Sequence, residues 1–313
     1  MLKTRPDRDD IAAAAARIAP QVWRTPLWRL PGAALGLPIQ EVWLKLEQLQ
    51  RGGSFKARGM FNHLLSQPLP AAGVVIASGG NAGIAAATAA QALGVRCEVF
   101  VPELCPPAKR EKLAALGAAV FVGGAAYADA LAASQQRLSE TGALAMHAYD
   151  LPEVVAGAGT LALEIEAEAG LPDRVLVSVG GGGLIAGVAA WFEGRSRVEA
   201  LEPVGAPTLH AARAAGEPVD VAVGGVAADA LGARRIGRIA WPICQRFVAD
   251  AHLVADADIG AAQRALWSEL RLAVEPAAAL PLAALRAGLV RPQPHERVLL
   301  VMCGANFDPV GLG

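Results

Sequence analysis

Residues 53 to 59 read Gly-Ser-Phe-Lys-Ala-Arg-Gly and place Lys56 at the start of a predicted helix, directly after an aromatic residue. The chain has five lysines, at positions 3, 45, 56, 109 and 112, and its other basic residues are arginines. Arginine keeps its proton and cannot form an imine, whereas a lysine amine with a lowered pKa can react with a carbonyl group. Lys56 is therefore the candidate catalytic amine of this chain.

Composition and charge exclude several classes of protein. The 313-residue chain has a formal net charge of −1 with both signs interspersed, so we expect no nucleic-acid partner. The uncharged stretch over residues 71–95 is interrupted by polar residues at 78–81 and 91, which disfavours a membrane span. The amino terminus lacks the apolar run of a signal peptide. The four cysteines show neither zinc spacing nor a disulfide framework, so we expect a cytoplasmic protein.

Short β-branched runs alternate with alanine-rich segments, a pattern that predicts a parallel α/β fold. The predicted strands cover residues 42–46, 73–77, 98–101, 118–122, 174–179, 198–201 and 298–302. The predicted helices cover residues 9–18, 55–65, 81–93, 108–116, 126–140, 152–169, 184–192, 259–272 and 277–287. Two strand–helix repeats within residues 73–123 indicate a small sub-domain inserted in a larger sheet.

The segment Ile76-Ala-Ser-Gly-Gly-Asn-Ala-Gly83 joins a predicted strand to a predicted helix that opens at Asn81. Helix amino termini offer free backbone N–H groups and suit a carboxylate, and Ser78 and Asn81 add side-chain donors there. An ordinary helix start capped by the Asn81 side chain explains the same residues equally well.

Four consecutive glycines, Gly180, Gly181, Gly182 and Gly183, separate a predicted strand from the next predicted helix. Such a run costs backbone entropy and is expected where a backbone wraps closely around a ligand. Successive N–H groups pointing inward form an anion nest, for which phosphate is the natural guest. The segment is neither a P-loop nor a dinucleotide-binding turn.

Cys303 lies at the end of the last predicted strand, directly before Gly304. An isolated cysteine in such a place is usually a small core residue. The carboxyl ends of parallel strands meet in one crevice, so Cys303 gains a function only if the other segments converge on it.

An imine-forming lysine, a phosphate nest, a carboxylate cradle and a weak neutral group together suit pyridoxal phosphate (PLP). On these residues the chain resembles PLP-dependent enzymes of the tryptophan-synthase-β fold, in the serine/threonine dehydratase and serine racemase branch. The resemblance runs from about Thr25 to Asn306. Its motifs are Ser54-Phe-Lys-Ala-Arg-Gly59, Ser78-Gly-Gly-Asn81, the four glycines, Glu202-Pro203 and Cys303-Gly-Ala-Asn306.

The resemblance implies a two-domain protein with three αβα layers and mostly parallel sheets, working as a homodimer. Residues 1–65 and 151–313 would form a large PLP-binding domain, and residues 66–150 a small substrate-clamping domain. Lys56 would hold the cofactor as an imine and then remove the substrate α-proton, while Phe55 packs on the pyridine ring. Asn81 would bind the ring 3′-oxygen, and Cys303 would face the pyridine nitrogen.

For the other two loops the resemblance implies binding of the phosphate and of a small amino-acid substrate. The phosphate would lie on Gly180, Gly181, Gly182 and Gly183. The substrate carboxylate would lie on the segment formed by Ser78, Gly79, Gly80, Asn81 and Ala82. Many relatives have His where this chain has Ala82.

The resemblance further implies a reaction, β-elimination of an L-β-hydroxy amino acid of the serine/threonine type to a 2-oxo acid and ammonia. A neutral Cys303 thiol cannot keep the pyridine nitrogen protonated as a carboxylate would, so a long-lived carbanion is disfavoured. Serine racemases carry a second catalytic serine at the position of Gly79, which has no group to transfer a proton. Both residues favour dehydration.

Three alternative functions stay open. Two are enzymatic: a serine/threonine racemase, or a dehydratase specialised for bulky β-hydroxy amino acids such as phenylserine. The third is a non-catalytic protein that binds PLP or phosphate and leaves Lys56 idle. We also expect no strong metal site, because the cation site of the family would use Glu202, the Ala206 carbonyl and an acidic residue where this chain has Thr208.

Overall fold

The structure is a computed structural model that describes residues 5–312 and arranges their strands in two sheets. The larger sheet has the order β1-β2-β10-β7-β8-β9, in which only the β1–β2 pair is antiparallel. Its strands are β1 (Leu27–Pro31), β2 (Glu41–Lys45), β7 (Arg174–Ser178), β8 (Arg197–Pro203), β9 (Val248–Val254) and β10 (Arg297–Val301). The smaller sheet, β5-β4-β3-β6, is parallel throughout. It contains β3 (Val74–Ala77), β4 (Cys97–Val101), β5 (Ala119–Val122) and β6 (Leu144–Ala145).

Helices connect the strands as parallel pairing requires. They are α1 (Arg8–Ile18), α2 (Lys56–Leu65), α3 (Asn81–Ala92), α4 (Pro107–Ala115), α5 (Tyr127–Thr141), α6 (Pro152–Ala169), α7 (Gly183–Phe192), α8 (Thr208–Ala215), α9 (Ala240–Phe247), α10 (Asp256–Leu270) and α11 (Pro276–Arg286). Within residues 5–312, no helix is both long and apolar enough to cross a bilayer.

Each sheet has its own apolar core. Trp43 and Leu44 of β2 belong to the core of the larger sheet, and Val99 of β4 belongs to the core of the smaller one. The predicted α/β architecture with mostly parallel sheets is confirmed. The residue boundaries of the two domains stay a prediction, and β3 to β6 all lie within residues 66–150.

The predicted strands and helices are all present, with ends shifted by a few residues, but the sequence pattern does not predict β1, β6, β9, α8 or α9. β6 is two residues long, and β1 and β9 are half-exposed edge strands with little apolar periodicity. α8 and α9 have eight residues each, too few for a clear helical period.

Candidate active site

The segment before Lys56 is hydrogen-bonded to the loop that follows β10. Ser54 and Gly304 form an isolated β-bridge, and the Phe55 amide donates to the Cys303 carbonyl at 3.1 Å. The Ala305 amide donates to the Gly53 carbonyl at 2.9 Å. α2 begins directly after this bridge. Two segments far apart in sequence are therefore held side by side, with Lys56 next to Cys303.

The Lys56 amine has one recorded protein partner in the described structure. Its Nζ donates to the Ala148 carbonyl at 2.7 Å and lies 5.0 Å from the centroid of the Phe55 ring. Burial lowers the pKa of Lys56 to about 8, and this effect outweighs the opposing influence of Cys303 and Glu275. A substantial fraction of this amine is neutral near pH 8, as a nucleophile or base requires.

A buried ionic network fixes the helix that carries Lys56. The Arg58 guanidinium donates to both Glu47 oxygens at 2.8 Å and to the two Glu164 oxygens at 2.7 and 2.9 Å. Lys45 Nζ donates to Glu164 at 2.8 Å. Burial opposes the charge on Glu47, but Arg58 keeps the pKa of that carboxyl below its usual value. Ion pairs thus tie α2 to α6 and to the segment directly after β2, and the Arg58–Glu47 pair is fully buried.

The four glycines form the turn between β7 and α7. Within residues 5–312, the backbone amides of Gly180, Gly181 and Gly182 have no recorded protein acceptor. Gly182 has a φ of +85°, which side chains rarely adopt, and a Cβ at Gly181 would lie 2.4 Å from the Tyr149 ring. Glycine is required here both by the backbone angle and by the closeness of neighbours. The free amides at the start of α7 form a cradle suited to an anion.

Glu202 lies near this loop, and its carboxylate is hydrogen-bonded to the first turn of α8. Its carboxylate accepts hydrogen bonds from the backbone amides of Leu209 at 2.7 Å and His210 at 2.8 Å. The Thr208 hydroxyl lies 3.1 Å from Glu202 Oε1 and 2.5 Å from the Gly180 carbonyl, to which it donates. The Ala206 carbonyl accepts from the Thr208 amide at 3.1 Å. Glu202 thus caps α8. The Glu202 carboxylate and the Ala206 carbonyl, which the family resemblance assigned to a cation, both accept hydrogen bonds within the protein.

α3 begins at Asn81, but the Asn81 side chain does not cap it. The N-cap residue is Gly80, which has no side chain that could cap the helix. Asn81 Nδ2 instead donates to Glu275, at 2.8 Å to Oε1 and 2.9 Å to Oε2. The alternative reading of Asn81 as an ordinary capping residue is therefore wrong. The side chain is turned away from its own helix and toward the end of β10.

The backbone at Gly79 leaves no room for a side chain. A Cβ at Gly79 would lie 2.7 Å from Cys105 Sγ and 3.3 Å from a methyl group of Val101. Cys105 belongs to the core of the smaller sheet. A thiol therefore occupies the space into which a side chain at Gly79 would extend.

Cys303 and Glu275 form a buried pair at the carboxyl end of β10. Cys303 is 3% exposed and Glu275 is 4% exposed, with Cys303 Sγ 4.0 Å from Glu275 Oε1. Burial, followed by the neighbouring Glu275 carboxylate, raises the pKa of Cys303 well above its ordinary value. Burial likewise raises the pKa of Glu275 to about 7. Cys303 is therefore a neutral thiol at physiological pH.

These segments converge on one narrow cavity of about 40 Å³. Its walls include the predicted cofactor residues Phe55, Lys56, Asn81, Gly180, Gly181, Gly182, Gly183 and Cys303. Among the described residues, this lining does not include Ser78, Gly79, Gly80 or Ala82. A neighbouring cavity of about 250 Å³ shares Ala230, Glu275 and Ala277 with the first and opens beside it.

The cavity also contains residues that the sequence patterns do not predict. Tyr149, Ser178, Leu231 and Glu275 line it. Burial raises the pKa of Tyr149 to about 12, so its hydroxyl stays protonated. Glu275 directly precedes α11, and a carboxylate at a helix start is ordinary, so this residue carries no signal of a site in the sequence. Tyr149 lies outside any predicted element and carries no such signal.

The residues present fit PLP. The Lys56 amine of lowered pKa, the cradle of free glycine amides and the Asn81 side chain at the start of α3 meet in the same cavity. These donors suit the aldehyde, the phosphate and the ring oxygen of that cofactor. The protonated thiol of Cys303 adds a weak neutral partner for a ring nitrogen.

Comparisons with known proteins agree with this chemistry. The family described as "Pyridoxal-phosphate dependent enzyme" matches residues 18–304. The chain is 40% identical to the L-threonine ammonia-lyase of Geobacter sulfurreducens over 281 residues, which is 88% of this chain and 68% of that protein. It is 34% identical to the phenylserine dehydratase of Ralstonia pickettii, covering 97% of this chain and 94% of that protein.

A solved structure shows the same fold. The structure of maize serine racemase superposes with a TM-score of 0.90 at 30% identity, covering 96% of this chain and 94% of that one. The family match spans most of the chain and includes both sheets and the Lys56 cavity. The chain therefore belongs to the family of pyridoxal-phosphate-dependent enzymes.

Proposed function

We propose that this protein is an ammonia-lyase that converts an L-β-hydroxy amino acid of the serine/threonine type to a 2-oxo acid and ammonia. The observation that carries the proposal is the buried, neutral Cys303 thiol in the same cavity as the Lys56 amine. Relatives named threonine ammonia-lyase and phenylserine dehydratase support the same reaction class.

Lys56 is the base in this proposal. When bound, PLP supplies an electron-withdrawing ring that stabilises negative charge at the substrate Cα. The neutral form of Lys56, accessible near pH 8, takes the α-proton. The thiol of Cys303 does not supply an ionic proton donor to the ring, so charge at Cα is short-lived. The Cβ–O bond breaks as the α-proton leaves, so that the α-proton and the β-hydroxyl are lost together as water. The enamine that remains is hydrolysed by water to the 2-oxo acid and ammonia.

Three groups of residues position the substrate and cofactor. The free amides of the loop from Gly180 to Gly182 would hold the phosphate, and the Asn81 amide would bind the ring oxygen. The segment from Ser78 to Ala82, at the start of α3, binds the substrate carboxylate through its amides. The adjoining 250 Å³ cavity offers space for the substrate side chain.

A racemase is the second candidate, and one contact favours it. Cys105 Sγ lies 2.7 Å from where a Cβ of Gly79 would stand. Burial raises the pKa of Cys105, so its thiol is protonated and able to donate. Because Cys105 is packed in the core of the smaller sheet, we rank racemisation below elimination.

We further propose a cytoplasmic homodimer. The four cysteines are free and buried, which is compatible with a reducing compartment. The homodimer rests on the family resemblance, and light scattering on the purified protein tests it.

The proposed activity is tested by 2-oxo acid and ammonia release from L-serine, L-threonine and L-phenylserine. The wild-type protein should release both products in equal amounts, and Lys56→Ala should release neither. Release by Lys56→Ala at the wild-type rate would remove Lys56 from the mechanism. A preference for L-phenylserine would identify the enzyme as a dehydratase of bulky substrates. No product from any substrate would favour the non-catalytic alternative.

A further inference from the structure

Four side chains form a directed hydrogen-bond chain through the site. Lys112 Nζ donates to Asn306 Oδ1 at 2.6 Å, and Asn306 Nδ2 donates to Asn81 Oδ1 at 2.7 Å. Asn81 Nδ2 then donates to both oxygens of Glu275, at 2.8 and 2.9 Å. Every donor points the same way, from a lysine cation to a carboxylate. Hydrogen bonds aligned in this manner polarise one another.

This chain of hydrogen bonds determines which end of the Asn81 amide faces the cavity. Asn81 Oδ1 accepts from Asn306, whereas the Asn81 NH₂ carries two N–H groups. One N–H can be shared by the two Glu275 oxygens, which leaves the other for an acceptor in the cavity. Turning the Asn81 amide over would place its oxygen against the Glu275 carboxylate and its NH₂ against the Asn306 NH₂. Asn306 cannot turn over either, because its Nδ2 also donates to the Gly52 carbonyl at 2.8 Å while Lys112 holds its oxygen.

Glu275 is the acceptor end of the chain and touches both residues expected at the cofactor ring. It accepts from Asn81 and lies 4.0 Å from Cys303 Sγ. The charged groups that influence it are Lys56, which lowers its pKa, and Asp229, which raises it. Burial dominates and raises the pKa to about 7, so the carboxylate form that completes the chain prevails above that pH.

We propose that Lys112, Asn306 and Glu275 are positioning residues that lock Asn81 Nδ2 as a hydrogen-bond donor toward the 3′-oxygen of PLP. The inference rests on the role proposed for Asn81 above. Lys112 lies on α4, which packs beside the smaller sheet, whereas Asn306 and Glu275 belong to the loops around β10 and α11. The chain of hydrogen bonds is therefore complete only when α4 lies close enough for Lys112 to reach Asn306.

Asn306→Asp tests the proposal with almost no change of shape. An aspartate at this position accepts where Asn306 Nδ2 donates, so the Asn81 amide must turn its NH₂ toward it and present its oxygen to the cofactor. Lys112 can still pair with the new carboxylate, while the hydrogen bond to the Gly52 carbonyl is lost, so circular dichroism checks the fold of this variant. We expect the Kd of the apoenzyme for PLP to rise about tenfold or more, the loss of one well-formed hydrogen bond. The absorption bands of bound PLP should also shift, because the protonation of the ring oxygen changes.

Lys112→Met and Lys109→Met form a matched pair on α4. Lys109 pairs with Asp229 and donates to no member of the hydrogen-bond chain. Measured well above the pKa of Glu275, where loss of the Lys109 charge beside Asp229 leaves Glu275 ionised, Lys109→Met should leave the Kd for PLP unchanged. Lys112→Met removes the cationic end and should raise the Kd about threefold. Circular dichroism of each apoprotein serves as the folding control. If Asn306→Asp does not fold, this pair decides the question.

Two results would overturn the proposal. One is a folded Asn306→Asp variant with wild-type PLP affinity and an unchanged spectrum. The other is an equal loss of affinity in Lys109→Met and Lys112→Met, which would make α4 a general support for the site. If the wild type released no 2-oxo acid but these affinity changes appeared, the proposed function would fail while this inference stood.

Discussion

The contact between Gly79 and Cys105 limits which side chains can be introduced beside the proposed substrate site. A hydroxymethyl group at Gly79 has no space, because the added Cβ would lie 2.7 Å from Cys105 Sγ. The β-carbon of Cys105 lies 3.8 Å from the same point, an ordinary contact distance. Removing the sulfur therefore creates the room that a serine at this position requires.

The double variant Gly79→Ser with Cys105→Ala should raise the ratio of D-enantiomer to 2-oxo acid about tenfold or more, because it adds a proton donor beside the cavity. Chiral chromatography of products from L-serine gives the ratio. Cys105→Ala alone should leave it unchanged. A fall in D-enantiomer in that single variant would show that the Cys105 thiol is itself the donor.

Lys56 should capture PLP at a lower pH than an exposed lysine. Its pKa is lowered to about 8 from an ordinary 10.5, mainly by burial, so the neutral amine accumulates at a lower pH. The rate at which the apoenzyme binds PLP covalently should rise with pH and level off above about pH 8. Stopped-flow absorbance between pH 6 and 10 measures it. A rate that still climbs near pH 10 would mean that the amine is solvated.

At the scale of elements, α2 is held by charge, not by capping or propensity. Its N-cap, Phe55, makes no side-chain hydrogen bond, and the helix contains a glycine. The Arg58 guanidinium, fully buried, bridges Glu47 and Glu164 instead. The position of Lys56, two residues earlier, depends on this bridge.

Arg58→Met should destabilise the apoprotein by about 3–5 kcal/mol, the usual cost of leaving a buried charge without its partner. Arg58→Lys should recover little, because a point charge cannot serve two carboxylates with planar pairs of hydrogen bonds. Urea unfolding gives the free energy. Arg235→Met, which breaks an exposed pair with Asp220, should change it little. Equal effects of the two methionine variants would contradict the account.

α8 gives a second test at this scale. Glu202 accepts hydrogen bonds from its first turn, and the Thr208 hydroxyl reaches the Gly180 carbonyl. After chelator treatment, added Mg²⁺ or Ca²⁺ should leave the melting temperature unchanged. Thr208→Asp, which adds a second carboxylate beside Glu202, should make the melting temperature depend on the cation. Cation-dependent melting of the wild type would show that Glu202 is available to a metal.

At the scale of the whole molecule, α4 joins the two sheets across the site. Lys109 pairs with Asp229, and Lys112 donates to Asn306, although neither partner is near α4 in sequence. Parallel strands, Lys56 and the glycine loop were predictable because each has a local signature in the chain. The contact between Asn81 and Glu275 spans 194 residues and has no such signature.

The same limit explains why the sequence left the role of the Asn81 side chain open and did not predict the neighbour of Gly79. A helix start with asparagine looks alike whether the side chain caps the helix or turns to a distant carboxylate. The thiol of Cys105 behind Gly79 is likewise visible only after β3 and β4 are paired. Spacing in the sequence predicts which residues can react or bind a ligand. The neighbours that orient them or shift their pKa come from distant segments and are known only from the tertiary fold.

In the proposed reaction, removal of the substrate α-proton leads to loss of the β-hydroxyl and not to inversion at Cα. The most direct measurement is the partition of L-serine or L-threonine between 2-oxo acid and D-enantiomer in one reaction with purified protein and PLP. We expect that 2-oxo acid, with equal ammonia, forms faster than the D-enantiomer. Equal or faster formation of the D-enantiomer would contradict it and make the protein a racemase.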